Sequence, residues 1–185
     1  MGDPTRTPAS KTSQTNSRAV PETPEDLLGG GELDMRIAAD GTWFYQGSPI
    51  RRHALVKLFS TVLRREDDGS YWLVTPVERG RVIVEDAPFI AVELRQRGGP
   101  GDQRLSFRTN VDEWVDLDAE HPLRVEEQAD TGEPRPYIRV RDGLEARLAR
   151  SVFYHLVELA EAEKEGEEEQ IGVWSNRSFF RLGSR

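Results

Sequence analysis

Two Asp-Gly pairs constrain the fold of this 185-residue chain more than any other feature of its sequence. They lie at positions 40–41 and 142–143. Asp-Gly is typical of two-residue β-hairpin turns because both central residues of such a turn need a positive φ. Each pair follows a strand-like segment and precedes a helical segment, an acidic stretch and two more strand-like segments. The nearly constant offset predicts a duplicated hairpin–helix–hairpin unit at about 35–86 and 136–183, or else two unrelated units that share a common pattern.

Both predicted helices are amphipathic. The first spans residues 51–65 and the second spans residues 149–162, and acidic stretches at 66–69 and 158–169 are expected to end them. The apolar residues at helical spacing are Leu55, Leu58, Phe59 and Val62 in the first helix, and Val152, Phe153, Leu156, Val157 and Leu159 in the second.

The segments between the two units have the period of two that is typical of β-strands. Residues 89–97 place Ile90, Val92 and Leu94 on one face, and the whole stretch 89–127 predicts an antiparallel meander. The fold class is therefore α+β, with duplicated hairpin–helix–hairpin units around an antiparallel β meander.

Composition divides the chain into a tail and two folded parts. Residues 1–30 hold five Thr, three Ser and four Pro with few large apolar side chains. Such a segment buries too little surface to offset the entropy of ordering it, so we predict a disordered tail, with a linker or phosphorylatable tail as the alternative. We expect an N-terminal α+β repeat domain at 31–88. A C-terminal β-rich domain at 89–185 is expected to end in the second repeat helix and hairpin.

The net charge of −8 is concentrated in one segment. Residues 158–169 hold seven Glu and one Lys, so the acidity is a local patch: a solvated helix exit or a docking surface. The absence of a net basic face argues against nucleic acid as a partner. The chain has no Cys, which excludes a disulfide framework, and it lacks an apolar run of about 20 residues that could cross a membrane. We expect a soluble cytoplasmic protein.

Few residues have the arrangement of a catalytic or metal site. His53 and His155 lie on the predicted helices without a second ligand one turn away, so no metal is expected. His121 follows Asp118 in a carboxylate-rich loop and is either a general base oriented by a carboxylate or part of a solvated turn. The sequence has no nucleophile elbow, phosphate-binding glycine loop or zinc spacing, so it identifies no catalytic residue.

Arginine and aromatic side chains instead recur along several strand faces. Guanidinium groups bind phosphate or carboxylate in pairs of hydrogen bonds, and aromatic faces stack on rings. The alternative is a set of solvated strand faces on the wet side of a sheet. The residues of this grouping are Arg104, Ser106, Arg108 and Asn110 on one strand, Tyr137, Arg139 and Arg141 on another, Trp43 and Tyr45 on the first hairpin, and Arg124 and Arg150 near element ends.

Six stretches of sequence resemble a bacterial family, the domain of unknown function 1285 family. They are DGTWFYQGSPI at 40–50, RREDDGSYWLVTPV at 64–77, VEDAPF at 84–89, TN at 109–110, HPLR at 121–124 and YIRVRDGL at 137–144. The resemblance implies two domains with a duplicated core and a C-terminal part superficially similar to pleckstrin-homology folds. It also implies a site for a nucleotide-like ligand at the domain interface, and a role in signalling. The motif residues that could form such a site are Trp43, Tyr45, Thr109, Asn110, His121, Arg124, Tyr137 and Arg141.

Three functional hypotheses follow from these patterns. The first is a non-enzymatic cytoplasmic regulator that binds a small anionic, nucleotide-like ligand between its two related domains. The second is a protein–protein interaction module that acts through the pleckstrin-homology-like part or the acidic patch. The third is a hydrolase that uses His121 with a neighbouring carboxylate. The oligomeric state is open.

Overall fold

The computed structural model describes residues 33–76, 78–99, 101–165 and 168–184, and the predicted tail at 1–30 lies outside them. The described residues form fifteen strands in three sheets and two helices. The fold is mostly β and belongs to the α+β class in this broad sense. One contiguous apolar core includes residues of both helices and all three sheets.

The first sheet contains six strands in the order β3-β2-β1-β6-β5-β4. The parallel pair β1–β6 lies at its centre, and the other pairs are antiparallel. Helix α1 connects β3 to β4 and buries its apolar face against β5. The elements are β1 (Met35–Ile37), β2 (Trp43–Tyr45), β3 (Ser48–Pro49), α1 (His53–Val62), β4 (Leu63–Arg65), β5 (Tyr71–Val74) and β6 (Arg79–Val84).

The second sheet repeats this arrangement with six later strands. Its order, read from one edge, is β9-β8-β7-β12-β11-β10, so its first and last strands again form a central parallel pair. Helix α2 follows the last strand and packs against β7. The elements are β7 (Phe89–Arg97), β8 (Arg104–Thr109), β9 (Trp114–Asp116), β10 (Leu123–Glu127), β11 (Pro134–Arg141), β12 (Leu144–Leu148) and α2 (Arg150–Glu158).

The third sheet is an antiparallel meander of β13 (Glu161–Glu165), β14 (Glu168–Ser175) and β15 (Ser178–Ser184). A fully buried serine fixes it to the second sheet. The hydroxyl of Ser175 donates to the carbonyl of Leu117 at 2.7 Å and accepts from the amide of Leu105 at 3.0 Å. Because buried polar groups need partners, these bonds fix the position of the β14–β15 turn.

The two Asp-Gly turns differ in length. At Asp142-Gly143 both residues have positive φ and the strands pair directly across them, so the predicted two-residue turn is confirmed. At the first pair only Gly41 has positive φ, and the amide of Ala38 donates to the carbonyl of Thr42. This is a three-residue loop that ends in a left-handed glycine, so the two-residue prediction was wrong there.

Both predicted helices were too long. Helix α1 ends at Val62, and Leu63–Arg65 is a strand, so the acidic residues 66–69 lie in the β4–β5 turn rather than at a helix exit. Leu58 is 41% exposed while Val56 is buried, so the buried face of α1 differs from the predicted one. Helix α2 ends at Glu158, and the following acidic segment contains a strand.

Two strand predictions also need correction. A register shift between Ala91 and Glu93 interrupts the alternation of β7, so Val92 is exposed although Ile90 and Leu94 are buried. A bulge inserts one residue, which changes the face on which the next side chain lies. Strand β12, in the sequence LEARL, was missed because it directly precedes a helix. The predicted meander over 89–127 is present only as β7–β8–β9. Strand β10 lies at the opposite edge of the sheet, where it pairs with β11, and the parallel pairs at the centres of both sheets were not predicted.

Replacing Gly41 with Ala tests the contact between the first hairpin and the second sheet. An ideal Cβ on Gly41 would lie 2.7 Å from Cγ1 of Ile90 and 2.8 Å from Nδ2 of Asn110, at a φ of +83. We expect Gly41→Ala to lower the free energy of unfolding by about 2–4 kcal/mol through overpacking and left-handed strain.

Gly47→Ala is the matched control, because Gly47 also has a positive φ but its Cβ would have no neighbour within 4 Å. Gly47→Ala should lower the free energy of unfolding by the left-handed backbone strain alone, about 1–2 kcal/mol. Urea unfolding of both variants measures the difference. Equal losses would show that the contact with Asn110 and Ile90 contributes nothing.

Candidate functional site

Asn110 joins the two sheets. Its side-chain oxygen accepts from the amide of Ile90 at 3.0 Å, and its side-chain nitrogen donates to the carbonyl of Gly41 at 3.3 Å. The preceding Thr109 is fully buried, and its hydroxyl accepts from the amide of Glu113 at 3.1 Å. Both residues therefore shape and hold the turn after β8.

A second link between the sheets runs through Arg147. Its Nη2 donates to the carbonyl of Ala39 at 2.8 Å, and its Nε lies 2.9 Å from Oδ2 of Asp86. The hydroxyl of Tyr137 donates to the other oxygen of Asp86 at 2.7 Å. One carboxylate in the β6–β7 connection thus holds two side chains of the second sheet. We call the contacts of Ala39, Gly41, Asp86, Asn110 and Arg147 the junction.

The phenol of Tyr137 has a shifted pKa because of its surroundings. Burial, followed by the hydrogen bond to Asp86, raises the pKa of Tyr137 to about 12, while Arg135 acts in the opposite direction. Arg124 stacks on the ring of Tyr137, with its guanidinium carbon 4.2 Å from the ring centre. It also donates two hydrogen bonds of 2.7 Å to Glu145, which raise its pKa above the usual range.

A shallow groove lies between α1 and the β8–β9 turn, with a volume of about 570 Å³. Arg141 lines this interface groove, where it contacts Glu113 and donates to the carbonyl of Ser60 at 2.8 Å. The groove is lined by Ala54, Lys57, Leu58, Ser60, Thr61, Val111, Asp112, Glu113 and Arg141. Both of its carboxylates face cations of the protein, so the groove has no excess of positive charge.

Asp112 is the charge centre of that groove. One of its oxygens lies 2.9 Å from Nε2 of His53 and 3.1 Å from Nζ of Lys57, and the other accepts from Arg108 at 3.1 Å. The hydrogen bonds from His53 and then Lys57 lower the pKa of Asp112 to about 2. This carboxylate therefore ties α1 to the second sheet as an anion.

A second cavity, of about 420 Å³, has an excess of positive charge. It lies between the β10–β11 hairpin, β12 and the start of α2, and we call it the arginine pocket. Three arginines and two aromatic residues contribute to its wall. The lining residues are Gln128, Glu133, Pro134, Arg135, Pro136, Arg147, Leu148, Arg150, Phe153 and Tyr154.

Arg150 is the most accessible cation of the arginine pocket. Its side chain is 74% exposed, and its Nε donates to the hydroxyl of Tyr154 at 2.8 Å. The lining carboxylate, Glu133, is 4.0 Å away from it. The first turn of α2 has no side-chain cap, so the positive end of the helix adds to the field at this position.

Comparisons with known proteins identify the family. Residues 24–87 match the domain of unknown function DUF1285, N-terminal domain, and residues 88–182 match the protein of unknown function DUF1285, C-terminal domain. A crystal structure of a DUF1285 family protein from Silicibacter pomeroyi is 43% identical, with a TM-score of 0.76 and coverage of 90% of each chain. The chain belongs to the DUF1285 family.

A second DUF1285 structure, from Shewanella baltica, is 30% identical with a TM-score of 0.55 and covers 68% of this chain and 91% of its own. No protein with a curated description matches the chain significantly. The boundary between the two matched DUF1285 domains follows Ala87, one residue after Asp86 of the junction.

The eight predicted site residues of this DUF1285 protein do not share one cavity. Asn110 belongs to the junction, Thr109 shapes the turn beside it, and Tyr137 and Arg124 stack next to Asp86. Trp43 is 1% exposed in the core, with no hydrogen-bond partner for its indole nitrogen among the described residues, and Tyr45 is half-buried against the core. Arg141 lines the interface groove, and none of the eight lines the arginine pocket.

His121 lies in the loop before β10. Its Nδ1 is 3.0 Å from Oδ1 of Asp118, and its side chain is 30% exposed. Within the described residues no serine or threonine hydroxyl hydrogen-bonds to this histidine. The pair has the His–carboxylate part of a general base, without a nucleophile beside it.

Sequence reasoning missed Arg135 and Arg147, which complete the arginine pocket with Arg150. Arg135 stands between two prolines in a strand, a pattern that marks an edge or irregular strand end rather than a ligand site. Arg147 belongs to the strand that was not predicted. Across the described ranges, no group of three His, Asp or Glu residues could hold a metal ion, and no helix is long and apolar enough to span a membrane.

Replacing Tyr137 with Phe tests the hydrogen bond to Asp86. We expect Tyr137→Phe to lower the free energy of unfolding by about 1–3 kcal/mol at pH 7, because the partly buried carboxylate of Asp86 loses a donor. The folded protein keeps the phenol proton to about pH 12, whereas the unfolded chain loses it near pH 10. Wild-type stability should therefore fall as the pH rises above 10, and part of this fall should be missing in Tyr137→Phe.

Chemical denaturation at pH 7, 9 and 11 measures both effects. Tyr154→Phe is the control, since that phenol is 53% exposed. This variant leaves Tyr137 and Asp86 in place, so it should keep the fall in stability above pH 10 that Tyr137 causes. Identical profiles for all three proteins would contradict the environment described for Tyr137.

Proposed function

We propose that this DUF1285 protein is a non-enzymatic, cytoplasmic regulator that binds a small ring-bearing anion in its arginine pocket. One observation carries the proposal: three guanidinium groups and two aromatic side chains meet in one cavity that has a single lining carboxylate. Guanidinium groups suit phosphate and carboxylate, and aromatic faces suit a planar ring. A nucleotide-like ligand, as the family resemblance implies, combines both groups.

The size of the pocket supports a small ligand. Cavities for small molecules typically measure 300–1,000 Å³, and this one lies near the lower end. The interface groove is larger and includes one predicted residue, Arg141. Its cations already face Asp112 and Glu113, so an anion entering it would have to displace two ion pairs.

The composition of the wall favours binding over catalysis. The described lining contains no serine, threonine or histidine that could act as a nucleophile or as a general base near neutral pH. A signalling role fits a protein that recognises a small ligand beside the connection between two domains.

The repeated strand order supports an internal duplication, with the two six-stranded sheets as the copies. On this proposal the copies are residues 35–84 and 89–148, rather than the units predicted from the Asp-Gly pairs. Each predicted unit does contain a hairpin, a helix and three following strands, but the second is divided between two sheets. The pleckstrin-homology-like character of the C-terminal part stays a prediction.

Replacing Arg150 with Ala tests the proposed site. Phenyl phosphate is a suitable probe because it joins one ring to one phosphate. We expect it to raise the wild-type melting temperature by an amount that increases with the logarithm of its concentration above the Kd, because it binds only the folded state. Arg150→Ala should weaken binding about tenfold or more, because a charged hydrogen bond to the phosphate is lost.

Arg81→Ala is the control, because Arg81 is an exposed arginine on β6, outside the arginine pocket. Titration calorimetry should give this variant the wild-type affinity. If phenyl phosphate and a panel of nucleotides leave the melting temperature unchanged, the proposed function is wrong.

A further inference from the structure

We propose that an anion in the arginine pocket competes with Asp86 for Arg147 and thereby loosens the junction between the two sheets. The inference rests on the proposed function and adds its regulation. Arg147 couples ligand binding to the junction, because it lines the arginine pocket and also contacts Asp86 in the junction.

One hydrogen bond and one ion pair hold the guanidinium of Arg147 in the junction. Its Nη2 donates to the carbonyl of Ala39 at 2.8 Å, and its buried Nε lies 2.9 Å from Oδ2 of Asp86, an ion pair without the alignment of a hydrogen bond. Asp86 belongs to the connection between the first and second sheets, and Ala39 belongs to the β1–β2 turn of the first sheet. Both partners therefore lie outside the sheet that carries Arg147, and each bond crosses the junction.

Moving Arg147 away costs free energy, because it removes the counter-ion of Asp86. Its side chain is 13% exposed, so it cannot exchange Arg147 freely for water. Its other oxygen accepts from Tyr137, which remains as its donor if Arg147 moves toward the ligand. An anion that turns Arg147 into the pocket thus leaves the carbonyl of Ala39 without this donor and Asp86 without its counter-ion.

The thermodynamic consequence is reciprocal. If ligand binding weakens the junction, then weakening the junction must strengthen ligand binding by the same factor. Coupling of this kind typically changes an affinity by about 5–150-fold. The junction is also where the DUF1285 N-terminal and C-terminal domains meet, so the coupling would alter how the two domains are held.

The first measurement uses Asp86→Asn, which removes the competing charge while keeping an acceptor for Tyr137. We expect it to bind phenyl phosphate about fivefold or more tightly than the wild type in titration calorimetry. Asp67→Asn removes an exposed carboxylate from the β4–β5 turn and should leave the affinity unchanged. Arg150→Ala, a change confined to the pocket, should weaken binding.

The second measurement uses the wild-type protein and needs no variant. Hydrogen exchange of residues 36–46 reports on the β1–β2 turn, where the amide of Gly41 donates to Ala38 and the amide of Ala39 donates to Glu85. Saturating phenyl phosphate should speed exchange there several-fold. Residues 64–72 serve as the internal control, because the amide of Glu66 donates to the carbonyl of Ser70 within their own turn, and within the described ranges none of them forms a hydrogen bond or ion pair with Arg147.

The outcomes distinguish this inference from the proposed function on which it rests. Faster exchange at 36–46 together with tighter binding by Asp86→Asn supports the coupling. Unchanged exchange in the ligand-bound protein overturns it, even if Asp86→Asn binds more tightly, because removing a nearby charge raises anion affinity without any coupling. In that case the arginine pocket would be a binding site that is not coupled to the junction. If phenyl phosphate binds neither the wild type nor Asp86→Asn, the proposed function and this inference both fail.

Discussion

The close contact between Gly41 and Asn110 determines how the two halves of this protein meet. The glycine lets the backbone of the first hairpin approach the second sheet, and the amide of Asn110 then bonds to that hairpin and to Ile90 at once. No side chain larger than hydrogen fits at this position without displacing one of those partners. The other links between the halves, among them those through Arg147, Arg141 and Asp112, depend on the separation that this contact sets.

Charged side chains also take part in the contacts between the two halves. Two ion pairs link the halves, Arg147 with Asp86 and Lys57 with Asp112. Arg141, which donates to the carbonyl of Ser60 in the first half, is paired with Glu113 of its own half. Cations in excess of their partners are found instead in the arginine pocket, beside the junction but formed wholly by the second sheet and α2. The overall negative charge of the chain therefore says little about this cavity.

Local sequence patterns predicted the positions of most strands but did not predict which strands pair with each other. The strand at 89–97 and the two-residue turn at Asp142-Gly143 were correctly predicted, and the DUF1285 motifs identified the family. The parallel pairs could not be foreseen, because strands far apart in sequence carry no local sign of their pairing. The acidic segment after α2 was assigned to a helix end because glutamates rarely form strands, and pairing with β14 overrides that preference.

The site was harder to predict for a related reason. Asn110, Tyr137 and Arg141 were predicted to bind a ligand, and in the structure their polar groups bond within the protein. Arg135, Arg147 and Arg150 come together only because the β10–β11 hairpin folds beside the start of α2. Single arginines at such positions look like solvated side chains until the topology is known.

The pairing of first and last strands in each six-stranded sheet has a consequence for synthesis on the ribosome. Strand β1 cannot pair with its second neighbour, β6, until residue 84 has emerged. In the same way, β7 cannot pair with β12 until residue 148 has emerged. Sheets that depend on such distant partners fold slowly and expose unpaired edges in the meantime. Nascent chains of this protein are therefore most vulnerable to aggregation, and most in need of chaperones, while the fourth and fifth strands of each sheet are being made.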